Sequence, residues 1–183
     1  MASVTWAKIA RRVRVPLGFV FTALYLWLAT PTPSSMMIGS ILIIPGLAVR
    51  ALASGYVQKN KQLTTTGPYA YTRNPLYIGS LILAVGFALS ARNWWIGAGL
   101  VLMFLAVYLP VIQGEEAFLR EHFPEFVEYA RHVPRLLPRL SSFGGVPGTF
   151  SWDLYWQHRE YNATLGSVAM MAALAAKLLW VRR

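Results

Sequence analysis

The run Gly67-Pro68-Tyr69-Ala70-Tyr71-Thr72-Arg73-Asn74-Pro75-Leu76-Tyr77 gathers turn formers, aromatic rings and a guanidinium between two apolar segments. Its Gly and Pro residues mark a turn. A turn-forming, aromatic, cationic stretch at a membrane edge suits a site where a polar molecule meets one that lives in lipid. Further along, Glu115-Glu116 sets two adjacent carboxylates at the end of another apolar segment. Of the seven Asp and Glu residues in the chain, five are Glu115, Glu116, Glu121, Glu125 and Glu128. Carboxylates gathered where a helix leaves the bilayer are costly unless paired or hydrated. A solvated amphipathic helix accounts for Glu121, Glu125 and Glu128, with Phe118, Leu119, Phe123, Phe126 and Tyr129 on its apolar side. Glu115 and Glu116 are different, because segment counting sets them opposite Arg73.

That count rests on the elements that carry these residues. The chain is 56% hydrophobic and 13% charged, with a mean hydropathy of +0.45, whereas soluble domains carry roughly 25% charged residues. Four or five apolar segments stand out, at about 15–29, 36–57, 76–89, 94–113 and 163–181, several of them short against the roughly 20 residues a span needs. The expected fold is all-α, a polytopic membrane helical bundle of about five transmembrane helices in a single domain, 1–183. Pro45 and Gly46 should bend the second segment, and Pro110 should kink the fourth. The third and fourth are joined only by Ser90-Ala91-Arg92-Asn93, which demands an antiparallel hairpin. Counted at 1.5 Å per residue, Asn74 lies about as far down one arm as Glu115 down the other, so Arg73-Asn74-Pro75 should face Glu115-Glu116.

Orientation follows from the cations. With the N-terminus inside, Lys8, Arg11, Arg12, Arg14, Lys59, Lys61, Arg73, Arg120, Arg131, Arg135, Arg139 and Arg159 all fall on the cytoplasmic side, and Arg92 lies in the short outer turn. This pattern obeys the positive-inside rule. It predicts an integral protein of the cytoplasmic (inner) membrane with its site facing the cytoplasm. The first segment reads as a retained helix, since no convincing small-residue cleavage site follows it. Lys177, Arg182 and Arg183 break the pattern, leaving open whether 163–181 spans or lies along the interface.

The formal net charge of +10 therefore belongs to cytoplasmic loops. No basic patch lies on a soluble module, so no nucleic-acid partner is expected. The absence of cysteine excludes disulfides, thiolate nucleophiles and Cys-ligated metal, and three scattered histidines speak against a zinc site. Gly97-Ala98-Gly99 follows no strand and is no dinucleotide fingerprint. Gly79 and Gly86 lie seven residues apart and share a helix face, with Gly97 and Gly99 expected to answer them from the partner helix. Either small-residue packing or room for a flat ligand would use such a face.

Taken together, three blocks resemble the integral-membrane methyltransferases typified by isoprenylcysteine carboxyl methyltransferase, with phospholipid N-methyltransferases as relatives. The first is Leu63-Thr64-Thr65-Thr66-Gly67-Pro68-Tyr69 followed by Arg73-Asn74-Pro75-Leu76-Tyr77. Next comes Glu115-Glu116 with Leu119 and Phe123. The third is Tyr129 followed by Val133-Pro134-Arg135-Leu136-Leu137-Pro138. The resemblance covers about residues 50–140. It departs at Asn74, where the family often has His. Asn keeps a donor and an acceptor but has no titratable ring, so a binding role survives there and an acid–base role does not.

The resemblance implies S-adenosylmethionine as methyl donor, held in a pocket on the cytoplasmic side. Tyr69 or Tyr77 would face the sulfonium through cation–π contact. Glu115 and Glu116 would accept from the ribose hydroxyls and the ammonium, and Arg73 would meet the carboxylate. The backbone near Leu63 and Thr64 would reach the adenine edge. Gly67, Asn74 and Pro75 complete the binding motif. Glu116, Arg120 and Arg73 are the candidate catalytic residues, with Arg120 placed to hold an anionic acceptor or else to pair along the helix with Glu116 or Glu121. Methyl transfer is an in-line displacement in which alignment supplies much of the rate. The acceptor should be lipophilic or lipidated, entering from membrane lipid. A prenylated cysteine carboxylate, a phospholipid amine, a quinone-like phenol and a hydrophobic thiol all fit.

Two other classes compete. A sterol-type membrane reductase would use NADPH, though no basic cluster beyond the cytoplasmic cations is set aside for a 2′-phosphate. A non-enzymatic membrane scaffold would leave Glu115-Glu116 opposite Arg73 as a structural salt bridge. The aromatic stretch after residue 141, with Trp152, Tyr155, Trp156, His158, Arg159 and Tyr161, lies beyond the resemblance and would either cover the site or sit at the membrane interface.

Overall fold

The computed structural model describes residues 2–58, 62–144 and 148–181. Lys59, Lys61, Arg182 and Arg183, which entered the orientation argument, lie outside the described residues. The described chain is helical: α1 (Ala2–Leu28), α2 (Pro33–Ser54), a 3₁₀ turn (Gly67–Ala70), α3 (Pro75–Ala91), α4 (Trp94–Met103), a π turn (Phe104–Tyr108), α5 (Leu109–His122), α6 (Phe126–His132), α7 (Trp152–Gln157) and α8 (Tyr161–Val181). Among the described residues, three stretches are long and apolar enough to cross a membrane: α2, the continuous Trp94–His122 and Tyr161–Trp180. Val15–Leu28 and Pro75–Ala91 are shorter apolar helices. These five coincide with the five apolar segments of the sequence, and the fold is an all-α membrane fold.

Two compact units divide the chain. The first comprises Met1–Leu42, Ala84–Phe118 and Val168–Arg183. Its core joins Tyr25, Ala29, Ala91, Ile96 and Leu174, with Phe87, Ala88 and Leu100 packed on them. The α3–α4 hairpin expected from the short linker is present at this core. The linker itself is tight, with Arg92 in the left-handed region (φ 52°) and Asn93 accepting from the Trp95 amide at 3.0 Å as a helix N-cap. Helix ends are closed by side chains from elsewhere in the unit. Lys177 of α8 donates to the Leu26 and Trp27 carbonyls at 2.6 and 2.8 Å, and Asn93 donates to Leu28 O at 2.9 Å. A cation on the last carbonyls of a helix also complements its dipole. Lys177 is thus committed to the end of α1, which explains a charge far along an apolar helix.

Pro110 produces a π turn where a simple kink was expected. Lacking an N–H, it cannot bond the carbonyl of Ala106 four residues back. The ladder shifts, and the Leu109 N–H reaches Phe104 O. The Ala106 carbonyl instead accepts the Trp6 indole N–H at 3.1 Å.

The second unit comprises Ile43–Leu83 and Leu119–Ser167. Here Gly46 of α2 meets α3 so closely that a Cβ on Gly46 would lie 3.0 Å from Gly79 O, and one on Gly79 would lie 2.8 Å from Gly46 O. Within the first unit a Cβ on Gly39 would run into Ser90 and Gly86 O. Two glycine pairs seven residues apart on α2 and α3 thus let the backbones touch. This corrects the expected partner of Gly79 and Gly86. Gly97 has nothing within 4 Å of a Cβ position, and Gly99 faces Phe21 of α1. Close packing accounts for Gly79 and Gly86, leaving no space on that face for a flat ligand.

Candidate functional site

The motif loop is irregular backbone that needs outside partners, since loop amides and carbonyls have no ladder of their own. Thr66 leads into the 3₁₀ turn, Pro68 occupies its start, and Gly67 takes φ +59°, which favours glycine. A Cβ on Gly67 would also strike the Tyr56 ring. Thr64 Oγ1 accepts from the Gln58 amide at 3.2 Å. Beyond the turn, the carbonyls of Tyr69, Ala70 and Tyr71 accept from the Tyr129 hydroxyl (2.7 Å), the Phe143 amide (2.9 Å) and the Arg139 amide (2.9 Å) respectively.

The third block of the sequence supplies the next set of partners. The Arg73 amide donates to Pro134 O at 2.9 Å, Thr72 Oγ1 to Leu136 O at 3.1 Å, and Asn74 Nδ2 to Arg135 O at 3.0 Å. Asn74 and Thr72 are buried, Pro75 fully so. The Asn74 carbonyl accepts the amides of Tyr77 and Ile78, both at 3.1 Å, opening α3. Asn74 therefore ties the loop to residue 135 with its side chain while starting a helix with its backbone. A His ring nitrogen can donate the same bond, which accounts for the exchange of residue types at this position.

Side chains of all three blocks share one apolar cluster. Phe126, Tyr129 and Val133 are buried, and Leu63, Leu119, Phe123 and Phe143 pack on them. The Arg73 guanidinium lies 5.9 Å from the Phe126 ring centroid, within cation–π range. Leu63 is thus a packing residue by its side chain. Tyr69 is buried, and Tyr77 and Arg73 are half-buried.

Glu115 and Glu116 stand on α5 and belong to the first unit. Glu115 is half-buried, and Glu116 is 5% exposed. A carboxylate so deeply placed marks a residue kept for more than solubility. Arg120, in the last turn of α5, is exposed and makes no ion pair with Glu121 among the described residues. Its position complements the dipole of the helix.

Sequence reasoning missed one constellation. Arg50 Nε pairs with Glu160 Oε1 at 2.5 Å, its Nη1 donates to Ser80 Oγ, and its stem crosses α3 over Gly79. The signal was present: Arg50 is the sole charge in the segment 36–57, and a lone cation in a span needs a named partner. Glu160, 110 residues away, offered no local pattern to identify it.

The first two blocks lie in a stretch that is similar to known proteins. Residues 35–125 match the phospholipid methyltransferase family. Over that stretch the chain is similar to the family. Among curated relatives, the cobalt-zinc-cadmium resistance protein CzcN of Cupriavidus metallidurans is 42% identical over 88 residues, 48% of this chain and 41% of that protein. The nickel-cobalt-cadmium resistance protein NccN of Alcaligenes xylosoxydans xylosoxydans is 41% identical over 86 residues, 47% of this chain and 40% of that one. The chain thus spans about four-tenths of the length of these two relatives. The protein-S-isoprenylcysteine O-methyltransferase of Schizosaccharomyces pombe is 25% identical over 142 residues, 74% of this chain and 60% of that protein. No solved structure matches.

Proposed function

We propose that this protein transfers a methyl group from S-adenosylmethionine to a lipophilic acceptor at the cytoplasmic face of the inner membrane. The observation that carries the reading is the docking of the first block on the third. Three donors of Thr72-Arg73-Asn74 go to three successive carbonyls, those of Leu136, Pro134 and Arg135. Such fixation of an irregular loop beside a cation suits the alignment that an in-line displacement requires. In this reading Arg73 meets the donor's carboxylate, Glu115 and Glu116 its ammonium and ribose hydroxyls, and Tyr69 or Tyr77 the sulfonium. Gly67, Pro75 and the backbone at Leu63 and Thr64 shape the adenine end, with Asn74 holding the loop. Arg120 orients an anionic acceptor, for which an isoprenylcysteine-type carboxylate is the first choice and a phospholipid amine the alternative. A carboxylate would attack as the anion, carrying no proton to remove.

Calorimetry with S-adenosylhomocysteine on detergent-purified protein, with NADPH as control, tests this. The expected result is micromolar binding that weakens at least about tenfold, or roughly 1.4 kcal/mol, in a folded Glu116→Gln variant. NADPH binding, or no binding by a folded protein, would sink the proposal. The resistance named for the two bacterial relatives suggests a cellular assay as well, namely metal tolerance with and without the active protein.

A further inference from the structure

Within the second unit, residues 148–161 are fastened to the segment 50–66 at four places. Gly148 lies against Thr66, where a Cβ would come 2.6 Å from Thr66 Cβ and 3.2 Å from the Tyr56 ring. The Ser151 amide donates to Gly55 O at 2.9 Å, and His158 Nδ1 lies 3.1 Å from Ser54 O. Glu160 closes the segment on Arg50. Thr66 and Tyr56 are the same residues that flank and back Gly67 in the motif loop. The segment is therefore a strap whose inner side forms a wall of that loop.

A chain of aromatic rings runs along it, from Phe150 against Tyr56 on the inner side outward. Phe150 meets Trp152 at 4.9 Å, Trp152 meets Tyr155 at 5.7 Å, Tyr155 meets Trp156 at 5.6 Å, and Trp156 meets Tyr161 at 5.3 Å. Yet Trp152 is 66% and Trp156 58% exposed. The strap joins the end of one candidate span, α2, to the start of another, α8. Leu52 on the first and Leu165 on the second are likewise exposed apolar side chains. Indoles placed where spans begin and end fit the lipid headgroup layer, which receives both an apolar ring and an N–H.

We infer that residues 148–161 form a strap seated in the lipid headgroup layer through Trp152 and Trp156, and that this seat holds the Thr64–Tyr69 loop in shape through Gly148, Thr66 and Tyr56. The coupling stands whatever the loop binds; only its effect on cofactor affinity rests on the methyltransferase reading.

Two measurements test it, both on the full chain in lipid nanodiscs. The chain has no cysteine, so Gln157→Cys, exposed on α7, gives a single site for a fluorescent probe. Lipids carrying a spin label near the headgroup should quench that probe. Quenching by aqueous iodide alone, with no response to the labelled lipid, overturns the seat. Amide exchange across residues 62–71 is the second readout. Trp152→Ser/Trp156→Ser should speed it by about tenfold, as local opening becomes easier. Gly148→Val, whose added branch runs into Thr66, should do the same without altering a lipid-facing residue. Unchanged exchange in both variants overturns the coupling. Faster exchange in a protein that never binds S-adenosylhomocysteine would uphold the strap and reject the methyltransferase.

Discussion

Asn93 and Asn74 each stand just before a helix, and each sends its side-chain amide to a carbonyl more than sixty residues away in sequence. The carbonyls differ in kind. Asn93 and Lys177 serve Leu28, Leu26 and Trp27, the last turn of α1, where helix geometry already fixes the backbone. Asn74, Thr72 and the Arg73 amide serve Pro134, Arg135 and Leu136, which lie in no helix. At the α3–α4 turn, hydrogen bonds finish elements that would exist anyway. At the motif they create the conformation itself. A fold that commits so many bonds to irregular backbone preserves a shape that packing alone would not hold, as expected where a loop binds something.

The contrast can be broken by mutation. Glu160→Ala should be the most damaging change, since it strands Arg50 among apolar helices at a cost of about 3–5 kcal/mol. Thermal unfolding should show the loss, with part recovered in Arg50→Glu/Glu160→Arg. A loss below about 1 kcal/mol would mean that water reaches Arg50 and that the pair fastens little. Gly79→Leu should follow, at about 1–3 kcal/mol from overpacking against the backbone of α2. Gly97→Leu, facing open space, should stay within about 0.5 kcal/mol of the parent; equal effects at the two sites would contradict the observed helix pairing.

The two asparagines sharpen the comparison further. Asn74→Ala should cost about 0.5–1.5 kcal/mol by removing its bond to the Arg135 carbonyl and should loosen S-adenosylhomocysteine binding, whereas Asn74→His should preserve both. Asn93→Ala should cost about 0.5–2 kcal/mol and leave ligand affinity untouched. A ligand effect at Asn93 would erase the distinction. Lys177→Met should be the mildest of the set, at about 0.3–1 kcal/mol, again read by thermal unfolding with affinity unchanged.

Apolar runs and their breakers made the spans legible, because lipid tolerates few alternatives to a continuous helix. The three motif blocks could be picked out for the same reason that they work together: each carries residue types unusual for a connector. Which helix answers Gly79 was not legible. A seven-residue spacing tells which face is small but not which neighbour packs on it, and the neighbour proved to be α2. Likewise, Asn74 displayed its hydrogen-bonding capacity but not Arg135 as its partner. Arg50 announced a need that Glu160 meets from beyond the resemblance. Each miss concerns a partner distant in sequence, where periodicity carries no information.

The π turn at Phe104–Tyr108 acts as a phase shifter. One extra residue accommodated in a helix turns everything downstream by about 100° relative to an uninterrupted 3.6-residue winding. Glu115 and Glu116 lie less than three turns beyond it, so their azimuth on α5 is set by Pro110 and by the Trp6 indole that occupies the orphaned Ala106 carbonyl. A residue at the far N-terminal end of the chain thereby helps decide the direction in which the buried carboxylate points.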